Sequence, residues 1–252
     1  MSELIRLEWF FPLLAAPFIG SFLGLLIRRL PAGQGVVLGR SACPDCAHPL
    51  GVRDLLPLVS FALSGGRCRH CKSPISRLYP AIEIAAIVIA LWAALMLSGW
   101  LVWAGCALGW ALLALAAIDQ EHMLLPDPLT LPLIPAGLLV AYALDPRLLV
   151  PHAIGAGAGF SAFALIGWAY KALRARAGLG LGDAKLLAGA GAWLSWQGLP
   201  SVVLIAAVAA LLVLLARSFA GRLISPTTPV PFGPYLCLGT WLVWLYGPLI
   251  PA

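Results

Sequence analysis

The stretch Gly180-Leu181-Gly182-Asp183 is a glycine-rich turn that places an acidic residue between two long apolar runs. A second acid, Asp119, lies directly after the apolar run 100–118. The chain has only ten acidic residues, and an ionisable group at the edge of a membrane-length segment is costly unless it has a function. We therefore predict that Asp119 and Asp183 act together as a pair.

The composition predicts a polytopic membrane protein. The 252 residues are 62% hydrophobic and 10% charged, with a mean hydropathy of +0.96. Soluble domains carry about 25% charged residues. The net charge of +6 does not indicate nucleic acid, because the basic residues form short clusters between apolar runs, as topology signals do. We therefore expect the protein to lie in a lipid bilayer and to have no nucleic-acid partner.

The apolar runs predict an all-α membrane protein with about eight transmembrane helices and a small metal-binding domain between helices one and two. Run 186–196 is too short to cross a bilayer alone, so helix six is expected to begin within the glycine turn. The predicted runs are residues 9–27, 80–97, 100–118, 129–144, 153–170, 186–196, 199–216 and 232–249.

The distribution of Lys and Arg predicts the orientation. If the polar segment 30–79 is cytoplasmic, alternation of the spans places all of the 16 basic residues except Arg6 and Arg147 on that side. The same alternation brings Asp119 and Asp183 to the cytoplasmic face.

Two adjacent carboxylates suit peptide hydrolysis, because they cannot both ionise at short range. The ionised acid deprotonates a water molecule while the protonated one polarises the peptide carbonyl. Gly180 and Gly182 permit a tight turn and the close approach of an extended substrate. Lys185 tunes Asp183, holds a substrate carbonyl, or anchors the helix at the interface. In a purely structural alternative, Asp183 caps helix six and Asp119 is a loop acid.

Four of the six cysteines form two pairs, Cys43-x-x-Cys46 and Cys68-x-x-Cys71, with 21 residues between them. This spacing predicts a structural zinc site with four thiolate ligands. A disulfide alternative is disfavoured on the cytoplasmic side, and His70 is an alternative ligand. Glu83, near the start of the second span, is predicted either to bind a positive substrate N-terminus or to pair with an arginine.

The chain resembles the bacterial type IV prepilin peptidases, which are GxGD-type aspartic proteases of the membrane. It departs from the usual family pattern at Gly24 and at residues 54–57, which lie in or beside the cytoplasmic domain. The matching segments are Arg40-Ser41-x-Cys43-Pro44-x-Cys46, Gly66-Arg67-Cys68-Arg69-x-Cys71, Ile118-Asp119 with Leu125-Pro126-Asp127, Gly180-x-Gly182-Asp183-x-Lys185, and Pro231-Phe232-Gly233-Pro234.

The resemblance implies a bifunctional enzyme of the bacterial inner membrane. Asp119 and Asp183 would cleave the basic leader from prepilins or pseudopilins of pilus and type II secretion systems, at the cytoplasmic face. S-adenosylmethionine would then methylate the new N-terminal residue. The implied domains are a first helix (1–29), a cytoplasmic zinc domain associated with methyl transfer (30–79) and a membrane peptidase domain (80–252).

Three other interpretations are open. Another GxGD intramembrane protease would share the glycine turn, but such enzymes lack a cysteine-rich domain after the first helix. A non-enzymatic membrane scaffold with a zinc module predicts that both acids tolerate replacement by asparagine. A transporter would place its acid pair at mid-depth rather than at one face.

Overall fold

The computed structural model describes residues 2–36, 41–174, 180–220 and 230–249. Arg40 and most of the loop before the last helix therefore lie outside the described residues. The described part is helical and contains no strands, only two isolated β-bridges. The helices are α1 (Ser2–Arg29), α2 (Val59–Leu63), α3 (Leu78–Met96), α4 (Leu101–His122), α5 (Asp127–Leu144), α6 (Leu149–Arg174), α7 (Leu181–Phe219) and α8 (Gly233–Tyr246).

Six of the described helices are long and apolar enough to cross a membrane: α1, from Trp9 onward, and α3 to α7. The predicted all-α polytopic architecture is thus confirmed. Helix α7 begins at Leu181, directly after Gly180, which also confirms that helix six begins in the glycine turn. Helices α2 and α8 are shorter, with 5 and 14 residues.

Helix α7 contains two helical limbs, because Ser195 has φ 62° and ψ 176° and breaks the helix. An added Cβ at Gly189 would contact Leu133, and one at Gly137 would contact Ala192, so the first limb runs in the same direction as α5. Helices α5, α7 and α8 all begin around Leu125, as close contacts of Gly182 and Gly233 with that side chain show.

The second limb of α7 runs antiparallel to α8. Gly198 lies against Val243 and Gly239 against Val202, so the limb starts at the far end of α8 and returns toward its beginning. The chain therefore reverses direction at Ser195. The two limbs correspond to predicted spans six and seven, so the six helices of spanning length account for seven predicted segments, and the shorter α8 corresponds to span eight.

The chain forms two compact units, Met1–Ala114 and Leu115–Ala252. In unit 1, α1 and α3 approach closely at Gly20, where an added Cβ would lie 2.6 Å from the Cα of Glu83. At Gly24 a Cβ would lie 2.8 Å from the ring of Tyr79, so a larger residue at this departure from the family pattern would displace the tyrosine.

In unit 2, α6 and α7 pack through glycine. A Cβ added at Gly155 would lie 2.6 Å from the carbonyl oxygen of Gly191, and one at Gly159 would lie 2.6 Å from that of Leu187. Small residues let helix backbones approach closely in lipid, where van der Waals contact is the main attraction. This contact fixes the helix that carries Asp183.

Candidate active site

Asp119 lies in the last turn of α4 and is buried, with 6% of its surface exposed. Its Oδ2 accepts a hydrogen bond from the backbone N–H of Gly233, at 3.0 Å. A Cβ on residue 233 would lie only 2.6 Å from the same oxygen. Glycine at the first residue of α8 is therefore what allows the backbone to reach this carboxylate.

Asp183 is the third residue of α7, and its Oδ2 accepts the backbone N–H of Gly180 at 3.3 Å. This bond returns the side chain to the start of its own helix, as in a capping box. The capping role considered in the sequence analysis is thus present. It occupies one carboxylate oxygen and leaves the other available.

Both acids line a single cavity of about 240 Å³ in unit 2. The glycine turn and the loop before α5 meet there because both follow helices that end on this side. All five residues predicted for this site line the cavity, together with four others. The lining residues are Asp119, Met123, Leu124, Leu125, Asp127, Gly180, Gly182, Asp183 and Lys185.

Lys185 forms an ion pair with Asp127, with 2.6 Å between its Nζ and Oδ1. Its side chain is 27% exposed and that of Asp127 is 54% exposed. The structure shows the amine of Lys185 bound to Asp127 at the cavity wall. Its three predicted roles, which are to tune Asp183, to hold a substrate carbonyl or to anchor the helix, stay predictions. Asp127 and Gly233 are site residues that the sequence analysis missed, although both lie in motifs quoted for the resemblance.

The arrangement places two carboxylates in one cavity, each held at one oxygen by a glycine N–H. In the described part of the chain, no other hydrogen bond reaches either carboxylate. Such a pair can hold a water molecule between an ionised and a protonated carboxyl group. The Asp127–Lys185 ion pair lies at the wall of the same cavity.

The four predicted metal ligands lie together in unit 1. The Sγ atoms of Cys43, Cys46, Cys68 and Cys71 all lie within 4.8 Å of one another. Cys43 and Cys71 are 3.7 Å apart at Sγ, close to the ~3.8 Å that a tetrahedral zinc with bonds of about 2.3 Å would impose and far beyond a disulfide bond of about 2.05 Å.

Two turns of the same form carry these cysteines. In the first, the N–H of Cys43 donates to the carbonyl of His48 at 3.0 Å; in the second, Cys68 donates to Ser73 at 2.8 Å. Each turn is closed by an isolated antiparallel bridge. The rings of His48 and His70 stack with centroids 3.5 Å apart, so His70 contacts the other turn and is not part of the four-thiol cluster.

The electrostatics of the cluster suit a cation. Backbone N–H groups of Cys46 and Asp45 lower the pKa of Cys43 to about 6. The N–H of His48 acts in the same direction on Cys46, but burial and the neighbouring thiols raise its pKa to about 12. A bound divalent cation would favour the thiolate form of Cys46 against this rise.

Among the described residues Glu83 forms no ion pair with an arginine, and its predicted contact with a substrate N-terminus stays a prediction. Glu83 is buried, with 5% of its surface exposed, and its Oε2 accepts the backbone N–H of Leu58 at 2.7 Å. This carboxylate therefore holds the polar segment of unit 1 to helix α3.

Two family models match adjoining parts of the chain. The Bacterial Peptidase A24 N-terminal domain matches residues 14–97, and the Type IV leader peptidase family matches residues 106–215. The first contains the cysteine cluster, and the second contains both cavity acids. No solved structure is significantly similar to the chain.

Several curated proteins with the name prepilin leader peptidase/N-methyltransferase are similar over most of their length. The relative from Aeromonas hydrophila is 38% identical, over 91% of this chain and 87% of its own. The Burkholderia pseudomallei (strain K96243) relative is 44% identical, over 86% of this chain and 71% of its own. The Pseudomonas aeruginosa relative is 35% identical, over 91% of this chain and 87% of its own. The chain therefore belongs to the type IV leader peptidase family.

Proposed function

We propose that the chain cleaves the leader peptide from prepilins or pseudopilins and methylates the new N-terminus. The family and the names of its relatives support both activities. The observation that carries the peptidase mechanism is the single cavity lined by Asp119 and Asp183. The alternative GxGD proteases have no support in these comparisons.

In the proposed mechanism the two acids share one proton. The ionised carboxylate removes a proton from a water molecule, whose oxygen attacks the scissile carbonyl carbon. The protonated carboxyl donates its proton to the carbonyl oxygen, giving a neutral tetrahedral intermediate. Collapse of that intermediate breaks the C–N bond: the departing amine takes a proton from the acid that received it from water, and a hydroxyl of the intermediate returns its proton to the other carboxylate, which restores the dyad.

Two features support the orientation of this dyad. The glycine N–H donors hold one oxygen of each carboxylate, so the other oxygen of each acid is directed by the backbone. Gly180 is exposed at the cavity, where the absence of a side chain lets an extended peptide approach. Lys185 and Asp127 would form the wall beside the substrate.

The four cysteines would hold zinc, which is the preferred metal of such thiolate sites. With four protein ligands the site is closed, so its role would be structural. None of the four cysteines lines the cavity described above, and we assign the metal no step of hydrolysis. We propose the domain division 1–29, 30–79 and 80–252 for helix, metal module and peptidase.

S-adenosylmethionine is the proposed methyl donor, which supplies an electrophilic methyl group on a cationic sulfonium. A cavity of about 340 Å³ in unit 1 is lined by Arg67 and Arg77 and by no acid. S-adenosylmethionine carries a sulfonium, an ammonium and one carboxylate group, so this lining would leave both cationic groups without an acidic partner, and we assign no methyl-transfer step to the cavity.

The proposed location is the bacterial inner membrane, with the dyad at the cytoplasmic face. The asymmetric distribution of Lys and Arg supports this orientation. It also brings the dyad to the side on which a basic leader would remain.

Leader cleavage of a prepilin in proteoliposomes tests the dyad. Asp119→Asn and Asp183→Asn should each abolish cleavage, and the double variant should be no worse, because residues that act as a unit are not additive. Asp145→Asn is the matched control, since Asp145 only caps a short turn by accepting the N–H of Arg147. Cleavage near the wild-type rate by either single variant would favour the scaffold interpretation.

The same samples test the second activity. The double variant should still methylate a pilin peptide that already has its mature N-terminus, because no acid of the dyad is needed for that transfer. Mass spectrometry of the peptide measures the added methyl group. If the wild type methylates this peptide and the double variant does not, both reactions take place at the dyad.

A further inference from the structure

The metal module of unit 1 exposes a run of apolar side chains. Residues 52–63, which we name the interfacial segment, contain the short helix α2 and one 3₁₀ turn. Val52 is 82% exposed and Leu63 is 76% exposed, and the other exposed apolar residues of the segment are Leu55, Leu56 and Val59. Several large apolar side chains exposed within one short segment are typical of an interaction site on a folded protein.

The bond between Leu58 and Glu83 fixes the depth of this segment. Glu83 is the sixth residue of α3, which places it about 8 Å along the helix axis at 1.5 Å per residue. Helix α3 has 19 residues and is about as long as the hydrocarbon core is thick. With the first residue of α3 at the edge of the hydrocarbon core, this bond holds Leu58 about 8 Å inside that edge, which is within the depth at which interfacial helices lie.

A positively charged cavity lies beside the segment. It has a volume of about 340 Å³ and is lined by Phe61 of the segment, by the arginines Arg67 and Arg77, and by Gly65, Gly66, Pro74 and Ile75. Arg77 directly precedes α3. Neither arginine has an acidic partner within the described ranges, whereas Arg69 pairs with Asp54 at 3.2 Å.

We propose that the interfacial segment lies in the lipid interface and that Arg67 and Arg77 bind the phosphate of an anionic phospholipid. The exposed apolar side chains would enter the boundary between headgroups and acyl chains, as in monotopic helices. Arginine pairs well with phosphate because its guanidinium donates two parallel hydrogen bonds. A soluble phosphate would share the arginines but would leave the apolar segment unexplained.

This proposal goes beyond leader cleavage and does not depend on the dyad. It assigns the metal module a second attachment to the bilayer, besides the helices α1 and α3 between which it lies in the sequence. The module would then be held flat against the membrane at the entrance of α3.

Photo-cross-linking of the full chain in nanodiscs tests the depth of the segment. The nanodiscs contain phosphatidylcholine and phosphatidylglycerol, and benzoylphenylalanine replaces Leu63 in one sample and Asp45 in the other. Both residues are exposed in the same module, but Asp45 lies in a metal turn. Lipid adducts should form at Leu63 and stay at background at Asp45. Equal labelling at the two positions would overturn the proposal.

Lipid retention tests the arginines. Native mass spectrometry counts phosphatidylglycerol bound to the purified chain, and the variant Arg67→Gln with Arg77→Gln should lower this affinity by about fivefold per arginine. Lys72→Gln is the control, because it removes one exposed positive charge of the same module outside the cavity and outside the interfacial segment. An equal loss in the control, or no loss in the double variant, would overturn the proposal.

A competition arm separates the two sources of phosphate. Inorganic phosphate and glycerophosphoglycerol should fail to displace bound phosphatidylglycerol, because they cannot use the apolar segment. Displacement by either compound would assign the cavity to a soluble anion and overturn the lipid proposal. Since every readout is lipid binding, failure here leaves the proposed cleavage reaction untouched.

Discussion

Gly233 sets the position of Asp119 because it has no side chain. Replacement by alanine would place a Cβ 2.6 Å from Oδ2 of Asp119, so the carboxylate or the start of α8 must move. We expect Gly233→Ala to lower leader cleavage by about 100-fold, the typical cost of a 1 Å misplacement at a reacting group. Rates of cleavage in detergent measure this effect.

Gly157→Ala is the control for that substitution, since its added Cβ would meet no atom within 4 Å. It should cleave like the wild type. Activity of Gly233→Ala within a few-fold of the control would mean that the hydrogen bond to Asp119 does not orient the dyad.

Sequence reasoning identified the two acids but not the residue that orients one of them. Asp119 and Asp183 stand out because acids are rare in this chain and costly at the edge of a span. Gly233 lies 114 residues from Asp119, and no residue-type signal in the sequence pairs these two as the rarity of acids pairs Asp119 with Asp183. The pairing of Lys185 with Asp127, 58 residues away, was missed for the same reason.

The contact between α6 and α7 is the element on which the position of Asp183 depends. At Gly155 an added Cβ would meet three backbone atoms at 2.6 Å, and backbone cannot move aside as a side chain can. We expect Gly155→Ala to destabilise the protein by about 1–3 kcal/mol through overpacking. The midpoint of denaturation in detergent, followed by helix content, measures the change.

Gly157→Ala serves again as the matched control, two residues along the same helix and facing open space. Its effect should stay within about 0.5 kcal/mol, as for surface substitutions. Equal stability of the two variants would show that α6 and α7 can separate without cost at Gly155.

The sequence predicted where α7 reverses direction but not which backbone conformation produces the reversal. The predicted gap between runs 186–196 and 199–216 begins two residues after Ser195. Helices that are apolar on all sides give no periodic signal, so only length and turn residues locate a break. The break itself is a serine with positive φ in a region that glycine normally occupies, and nothing in its residue type indicates that conformation.

At the scale of the whole molecule, composition was enough to predict a helical membrane protein with one polar module. The cysteine spacing located the metal site, because two turns with equal spacing bring four thiols together. The attachment of the module to α3 through Glu83 was not predicted. Its carboxylate accepts a backbone N–H, and such a bond gives no pattern of opposite charges in the sequence.

The metal module should depend on its metal for folding, whereas the membrane helices should not. Within residues 41–77 only Cys43 and Cys68 are fully buried, so the thiol cluster is the core of the module. Zinc sites of this kind supply about 10–16 kcal/mol of binding free energy, which is then folding free energy. Removal of the metal by a chelator should therefore open residues 41–77 to proteolysis while far-UV circular dichroism changes little.

Two cysteine variants separate the metal from general loss of thiols. Cys68→Ser should lower the zinc content measured by mass spectrometry and open the module to protease, because Cys68 belongs to the cluster. Cys106→Ser should keep both the zinc and the protection, because Cys106 is buried in α4 outside the cluster. A module that stays protected without zinc would mean that its contact with α3 and with lipid holds it together, because 41–77 has no other buried core.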